Sequence, residues 1–500
     1  MMTEPLREEL LSRFNDIVAA QLGLHFPRER WRDLERGIRS AAKEFDFQDA
    51  GSGIERLLSS PLTKPQIEIL ASHLTIGETY FLREKQCFQI LEERILPELI
   101  CSRQGIGRHL RIWSAGCCTG EEPYSIAISL EKFRPVLKNW AVTILATDIN
   151  PRFLQKASDG VYGEWSFRET MPWIKERYFK PHGGGRWRIL PAIKQQVTFS
   201  YLNLAEDLYP SLTNSTNAMD VIFCRNVLMY FVPERAKRVI RNFYRSLMDG
   251  GWLIVSPSET SQALFSQFAT VNFPGVILYR KAGGPPAAGP AAEALAHGWT
   301  EAPKAFFWPQ KTVVPEPVSE AVVPRETGES QAIRPVSYQE AVALYGQGRY
   351  AEASEAIAGI LSDHPDDAGA MALLARVHAN QGRLGEAIEW CRHAIAADKL
   401  NAGYHYLLAV ILQEDSQAEE TVHSLRRALY LDPNFVLAHF TLGNLVRRQG
   451  RLKESVKHFE NALSLLGACS SDEILPESDA MTAGRLRDII RVTAFEESVA

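Results

Sequence analysis

A period of 34 residues runs through the last third of this 500-residue chain and limits what that part can fold into. Gly348, Gly382, Ser416 and Gly450 share the step, as do Ile360, Ala394, Ala428 and Ala462, and Pro365, Lys399 and Pro433. Such a period predicts stacked helical hairpins, because one hairpin cannot bury its apolar face alone. "GRYAEASEAIAGILSDHP", "GRLGEAIEWCRHAIAAD" and "GRLKESVKHFENALSLL" read as the second helices of their units, with small residues where paired helices approach closely. In the third unit Lys399 replaces the proline, Ser416 the glycine and Thr421 the alanine, so it departs furthest from the pattern.

Period and small-residue pattern together are the tetratricopeptide signature, over four units in residues 336–467. A generic helical bundle has no reason to keep four units in register. Such arrays bind proteins and carry no chemistry of their own, so a protein partner is expected here. The tail, 468–500, contains "AGRLRDIIRVTAFEE", which reads as a capping helix.

Residues 81–280 have a different rhythm. The apolar runs "LRIWSAG", "VTILATDI", "VTFSYLNL", "DVIFCRNV" and "GWLIVSPS" alternate with helical segments such as "EEPYSIAISLEKF", "NPRFLQKAS" and "PERAKRVIRNFYRSL". Alternation of this kind predicts a parallel sheet covered on both faces, with ligands at the carboxyl ends of its strands. The stretch from Val161 to Leu190 interrupts it and reads as an inserted helix and a small hairpin turning at Gly183–Gly185.

Between the two regions, residues 281–335 hold nine prolines in 55 positions and predict an extended, mobile linker whose one apolar patch is "AFFWP". Residues 1–80 look helical. There Arg32, Arg36, Arg39 and Lys43 fall at steps of four, three and four on one helical face. With Glu29, Asp33 and Glu35 interleaved, that face is either a solvated surface or a docking face for an acidic partner.

Several classes are disfavoured. A net charge of −5 does not suit a general nucleic-acid binder, and no apolar run of about 18 residues is present to span a bilayer. The seven cysteines are odd in number, scattered and without a CxxC pair, which suits reduced thiols and predicts neither a disulfide framework nor a metal site. The charged N-terminus, "MMTEPLREELLSRF", has no secretory core. A cytoplasmic protein is expected.

The loop "AGCCTGEEP" poses the chemical question. It has glycines but no lysine, so it is not a phosphate-binding loop, and it fails G-x-G-x-x-G. Its acids, Glu121 and Glu122, either cap a helix or face a cationic ligand. S-adenosylmethionine is such a ligand, with a sulfonium, an ammonium and no phosphate. Asp148 ends the second predicted strand, where an acid commonly grips ribose hydroxyls; alternatively "DIN" caps the next helix.

From about residue 70 to 280 the chain resembles the CheR chemoreceptor glutamate methyltransferases. The resemblance is carried, in family order, by "TIGETYFLRE", "IWSAGCCTGEEPYSIAI", "ATDINPRFLQKASDGVY", "NLAED", "DVIFCRNVLMYF" and "GGWLIVSPSE". It implies a multidomain chain. A helical N-terminal domain (1–80) precedes an α/β Rossmann-like methyltransferase domain (81–280) with a small β-subdomain (161–201), and an all-α tetratricopeptide solenoid follows. It also implies methyl transfer from S-adenosylmethionine, leaving S-adenosylhomocysteine, to glutamate side chains of a methyl-accepting chemoreceptor.

Residue by residue, the resemblance implies cofactor contacts at Thr79, Arg83, Glu121, Asp148, Asn203, Leu204, Arg225 and Asn226. Tyr230 would border the acceptor and help align it. Gly77 stands where several members have asparagine, and Cys118 where serine is common. Little acid–base help is needed, since a glutamate with a pKa of about 4.3 is already ionised at neutral pH. The rival readings are a non-catalytic scaffold that keeps the fold and a methyltransferase for RNA or a small molecule. Charge and repeats oppose the latter.

Overall fold

The computed structural model describes residues 6–47, 49–103, 108–282, 337–415, 417–478 and 481–495. Apart from Lys281 and Ala282, the proline-rich tract with its "AFFWP" patch lies outside the described residues.

Four helices open the chain: α1 (Glu8–Gln21), α2 (Trp31–Ala42), α3 (Ala50–Leu58) and α4 (Lys64–Leu74). Their starts are set locally. The Asp49 carboxylate accepts from the amides of Gly51 and Ser52, and Thr63 and Gln66 form a capping box ahead of α4. Phe14, Val18, Leu34, Ile38, Ile54 and Leu70 fill the core between them, and Ile149 and Tyr230 of the next domain pack against it.

Helix α5 (Lys85–Ile90) continues through a π turn into α6 (Leu96–Ser102). There follow β1 (His109–Ala115), α7 (Glu121–Leu130), β2 (Ala141–Asp148), α8 (Pro151–Asp159), β3 (Val161–Gly163), α9 (Pro172–Tyr178), β4 (Phe179–Pro181), β5 (Arg186–Ile189), α10 (Pro191–Lys194), β6 (Val197–Tyr201), β7 (Met219–Phe223), α11 (Pro233–Ser246), β8 (Leu247–Ile254), β9 (Ala269–Phe273) and β10 (Val276–Arg280). The main sheet has seven strands in the order β6-β2-β1-β7-β8-β10-β9. Alternate residues of β1 serve opposite cores: Leu110 and Ile112 one, Trp113 and Ala115 the other.

The sheet is Rossmann-like but mixed, not wholly parallel as expected. β10 runs antiparallel to β8 and β9, because Gly275 turns the chain straight back on itself (φ +76°) and leaves no crossover helix. The small sheet has three strands, β3-β5-β4. It ends at Ile189, and β6, within the span expected for the subdomain, pairs instead with β2 in the main sheet.

The repeats form four helix pairs: α12 (Tyr338–Gly346) with α13 (Tyr350–Asp363), α14 (Ala368–Asn380) with α15 (Leu384–Ala397), α16 (Ala402–Glu414) with α17 (Ala418–Leu431), and α18 (Val436–Arg448) with α19 (Leu452–Leu466). Helix α20 (Ala483–Phe495) closes the stack, burying Ala483, Leu486 and Ile490 in the repeat core. The periodic glycines turn three of the four pairs, with φ of +74°, +69° and +77° at Gly348, Gly382 and Gly450. Among the described residues, no helix is long and apolar enough to cross a membrane.

The solenoid packs on the methyltransferase domain along these turns. A Cβ on Gly348 would lie 2.7 Å from Arg245 and one on Gly382 2.7 Å from the Met248 sulfur, whereas Gly450 faces open space. Leu212, in the β6–β7 loop, is buried in the repeat core. The third unit makes the polar contact. Glu414 and Asp415 stand where the neighbouring units have Asn380–Gln381 and Arg448–Gln449. Glu414 lies 3.4 Å from Arg111 and accepts from Asn217 at 3.2 Å; Asp415 lies 3.2 Å from His109. The unit that departs most from the repeat pattern is therefore the one that meets the catalytic domain with two acids.

Candidate active site

The carboxyl ends of β1, β2, β6 and β7 open on a cavity of about 380 Å³. Its position between β1 and β7, where the strand order reverses, is the usual ligand crevice of such sheets. Its volume suits an organic ligand.

The first loop is built by backbone conformation. Gly116, Cys118 and Gly120 all have positive φ, at +80°, +51° and +93°. The turn aims the Cys118 amide at Asp148, whose Oδ2 accepts it at 2.8 Å, while Oδ1 takes the Asn150 amide at 2.8 Å. Burial nevertheless pushes the Asp148 carboxyl up to about 6. The helix-capping task falls to Asn150, which accepts from the amides of Arg152 and Phe153. Asp148 is thus left to shape the loop and face the cavity.

The two adjacent acids have separate fates. Glu121 does not line the cavity. It is 1% exposed, and its carboxylate accepts from the Thr119 hydroxyl at 2.6 Å and the Ser166 hydroxyl at 2.9 Å, tying the loop to the β-subdomain. Glu122 does line it. Its Oε1 accepts from Ser114 at 2.7 Å and its Oε2 from Arg225 at 3.1 Å. Successive helical residues point about 100° apart, so one acid turns in and the other away. Burial raises both carboxyl pKa values.

Arg225 is buried between Glu122 and Glu84, 3.0 Å from the latter. Burial lowers its pKa, but the two carboxylates outweigh that and leave it raised. Asn226 adopts a positive φ of +57° and donates from its side chain to Ser256 at 3.0 Å. Glu259 gathers the amides of Asn226, Val227 and Met229 at 2.6, 2.7 and 3.2 Å and so holds that turn. Glu84 and Glu259 were not singled out by sequence. Ser256 and Glu259 form a capping box, but the partners of Glu259 in the 226–229 turn are distant in sequence and leave no local signal.

Thr79, Arg83, Asp148, Asn203, Leu204, Arg225, Asn226 and Tyr230 all line the cavity. The N-terminal domain adds Leu22, Leu24, His25, Phe26 and Arg30, which motif reading had left out. The His25 amide donates to the Tyr230 carbonyl at 2.8 Å, and the Arg30 guanidinium lies 5.9 Å from the centre of the Tyr230 ring. At Gly77 a Cβ would come within 2.8 Å of Phe153, so the ring takes the room a side chain would need. Burial raises the thiol pKa of both Cys117 and Cys118, which disfavours the thiolate.

Arg32, Arg36, Arg39 and Lys43 lie on α2 and its C-cap, outside the cavity. Arg36 pairs with Asp33 and Arg39 with Glu35, each at 2.6 Å, while Arg32 and Lys43 are exposed. The interleaved acids therefore engage half of the stripe.

An acid at the end of β2, a lysine-free turn after β1 and a part-apolar cavity fit an S-adenosylmethionine-dependent methyltransferase, the class that the family match identifies. The CheR methyltransferase SAM-binding domain model matches residues 77–276, and a tetratricopeptide repeat model matches 338–402. "Chemotaxis protein methyltransferase 1" of Pseudomonas aeruginosa is 37% identical over 218 residues, 43% of this chain and 77% of that protein. "Chemotaxis protein methyltransferase Cher2" of Pseudomonas putida is 33% identical over 241 residues, covering 47% and 84%. "Chemotaxis protein methyltransferase 2" of Vibrio cholerae is 30% identical over 261 residues, covering 52% and 88%. The chain belongs to the CheR methyltransferase family.

Proposed function

We propose that this protein methylates glutamate side-chain carboxylates of a methyl-accepting chemoreceptor in the cytoplasm, tuning receptor signalling. The observation that carries the reading is the makeup of the cavity: Arg30, Arg83 and Tyr230 line the same space as Asp148 and Glu122. Cationic side chains favour an incoming carboxylate. Acids in the same cavity favour a cationic donor.

S-adenosylmethionine, when bound, supplies the activated methyl group. Asp148, Asn203 and Leu204 would hold its adenosyl part, with Thr79, Arg83, Arg225 and Asn226 as further contacts. Arg225 pairs with both Glu122 and Glu84, and its charge offsets part of the burial penalty on the Glu122 carboxylate beside the donor. Glu121 contributes indirectly in this reading, by pinning the loop. Arg30 and Tyr230 align the acceptor, and the wall from Leu22 to Phe26 limits water. An ionised glutamate is already a nucleophile, so alignment and desolvation supply the rate. Labelled methyl transfer to receptor cytoplasmic fragments tests this. A base-labile label, as a carboxyl ester must be, is expected; a base-stable label sinks the reading.

The α2 stripe is the proposed docking face for an acidic receptor helix. Reversing Arg36 and Arg39 to glutamate should raise the KM for receptor and leave cofactor affinity alone. Added salt should weaken the wild-type encounter, since screening shortens the reach of exposed charges. An unchanged KM would make the stripe a solvated surface. The repeats, joined as they are to a methyltransferase, are proposed to recruit a further protein partner.

A further inference from the structure

Three parts of the chain meet at Asn203. It follows β6, lines the cavity and is 1% exposed. Its Nδ2 donates to the Gln21 carbonyl at the end of α1 at 2.8 Å and to Glu206 Oε1 at 3.2 Å, while its Oδ1 accepts from the Ala205 amide at 3.0 Å. The other Glu206 oxygen, Oε2, is bound by Arg485 of α20. The Arg485 guanidinium also lies over the Tyr201 ring at 5.7 Å, and Lys64 of α4 approaches that ring at 5.3 Å. Tyr201 pairs in register with Asp148.

Helix α20 is not a loose tail. Leu486 and Ile490, one turn apart on the same helical face, are fully buried in the repeat core. At the opposite end of the sheet, Glu414 and Asp415 hold the third repeat against Arg111 and His109. The solenoid is therefore held to the catalytic domain at two separated places, one of them a single side chain away from the cavity wall.

We propose that Arg485 is a positioning residue for the cofactor site, and that through Glu206 and Asn203 the repeat module sets the affinity of the cavity for S-adenosylmethionine. The inference rests on Asn203 being a cofactor contact. Arg485 touches no reacting atom. Its action is to keep the partly exposed Glu206 carboxylate beside the Asn203 amide, which otherwise loses one of its hydrogen bonds and the orientation that bond imposes. Ordering of this kind alters binding far more than the chemical step, and reciprocity requires that a partner which shifts α20 alter cofactor affinity too.

The test uses the full-length protein and calorimetric titration with S-adenosylmethionine, together with steady-state kinetics on receptor fragments. Arg485→Glu should weaken cofactor binding about fivefold, a typical coupling factor, raise the cofactor KM in parallel and leave kcat at saturating cofactor unchanged. The swap Arg485→Glu with Glu206→Arg should stay weak, because an arginine at 206 restores the ion pair but offers the Asn203 amide no acceptor. Arg485→Lys should retain most of the affinity.

Wild-type affinity in folded Arg485→Glu, or a loss in Arg485→Lys as large as in Arg485→Glu, overturns the proposal. If charge reversal prevents folding, Arg485→Gln and Glu206→Gln must each still weaken binding, and wild-type affinity in both overturns it. Asn203→Ala separates the two layers. Unchanged binding there removes Asn203 as a cofactor contact and the inference with it. Weak binding in Asn203→Ala beside unchanged binding in Arg485→Glu rejects the positioning role alone.

Discussion

The two ends of the main sheet hold buried carboxylates by opposite means. At the carboxyl end, acids are satisfied mostly by nearby amides and hydroxyls: Asp148 by Cys118 and Asn150, Glu259 by the 226–229 turn, Glu121 by Thr119 and Ser166. At the amino end, acids meet bases from distant sequence. Asp220 is gripped by Arg103 and also accepts the Arg111 amide at 2.8 Å, and Glu414 faces Arg111 across the domain seam. The first arrangement shapes a rigid pocket whose ligand side stays available. The second works by charge pairing, and its Glu414–Arg111 contact depends on two domains staying together. Arg225 is the exception that joins the two styles, an ion pair placed inside the pocket.

The largest expected effect is therefore at Arg225. Arg225→Ala leaves Glu122 and the partly exposed Glu84 without their cation. Stability should fall by about 5 kcal/mol in urea unfolding, the upper end for a broken buried pair. A loss near zero would mean that the pocket needs no internal ion pair and would erase the contrast with its neighbours.

Next comes the seam. Glu414→Lys places a cation against Arg111 and His109 and should cost about 3 kcal/mol of docking free energy. Hydrogen exchange should speed up in residues 207–218 and 411–415 and stay slow in β1 and β2. Unchanged protection at the seam would show that Leu212 and the glycine turns suffice to hold the solenoid.

Asp148→Ala should weaken cofactor binding by about 1–3 kcal/mol, the scale of a charge-assisted hydrogen bond. The pH dependence has a definite sign. Because burial raises the carboxyl from its ordinary value of 3.8 to about 6, its contribution to stability is fully present below 3.8 and is lost as pH rises through 6. Affinity for a cationic cofactor runs the other way, rising as the carboxylate ionises. Titrations from pH 5 to 7.5 should show that rise in the wild type and a flat profile in Asp148→Asn.

The smallest effect is the most diagnostic of the seam. Gly450→Ala should cost about 1 kcal/mol, the strain of a left-handed alanine. Gly382→Ala carries the same strain plus a clash with Met248 and should cost about 1 kcal/mol more. Equal melting temperatures for the two variants would mean that Met248 yields freely and the turn row is not tightly packed.

What sequence alone determined is the part set by local physics. A 34-residue period with turn glycines specifies helix pairs, because each hairpin is completed by residues inside one unit. Apolar runs alternating with helical segments specify the strands, and the "TGEEP" and "TDIN" stretches place acids at their carboxyl ends. What only the tertiary structure decided depends on direction and distance. Rotation about the α7 axis sends Glu122 to the cavity and Glu121 behind it. The cavity wall from Leu22 to Arg30 comes from a separate domain. Glu414 finds Arg111, and Arg485 finds Glu206, across stretches for which periodicity carries no information. The third repeat's irregularities were visible as departures, yet their meaning required seeing what lay opposite: a side chain's role in a seam is set by the surface it faces, and no local pattern encodes that surface.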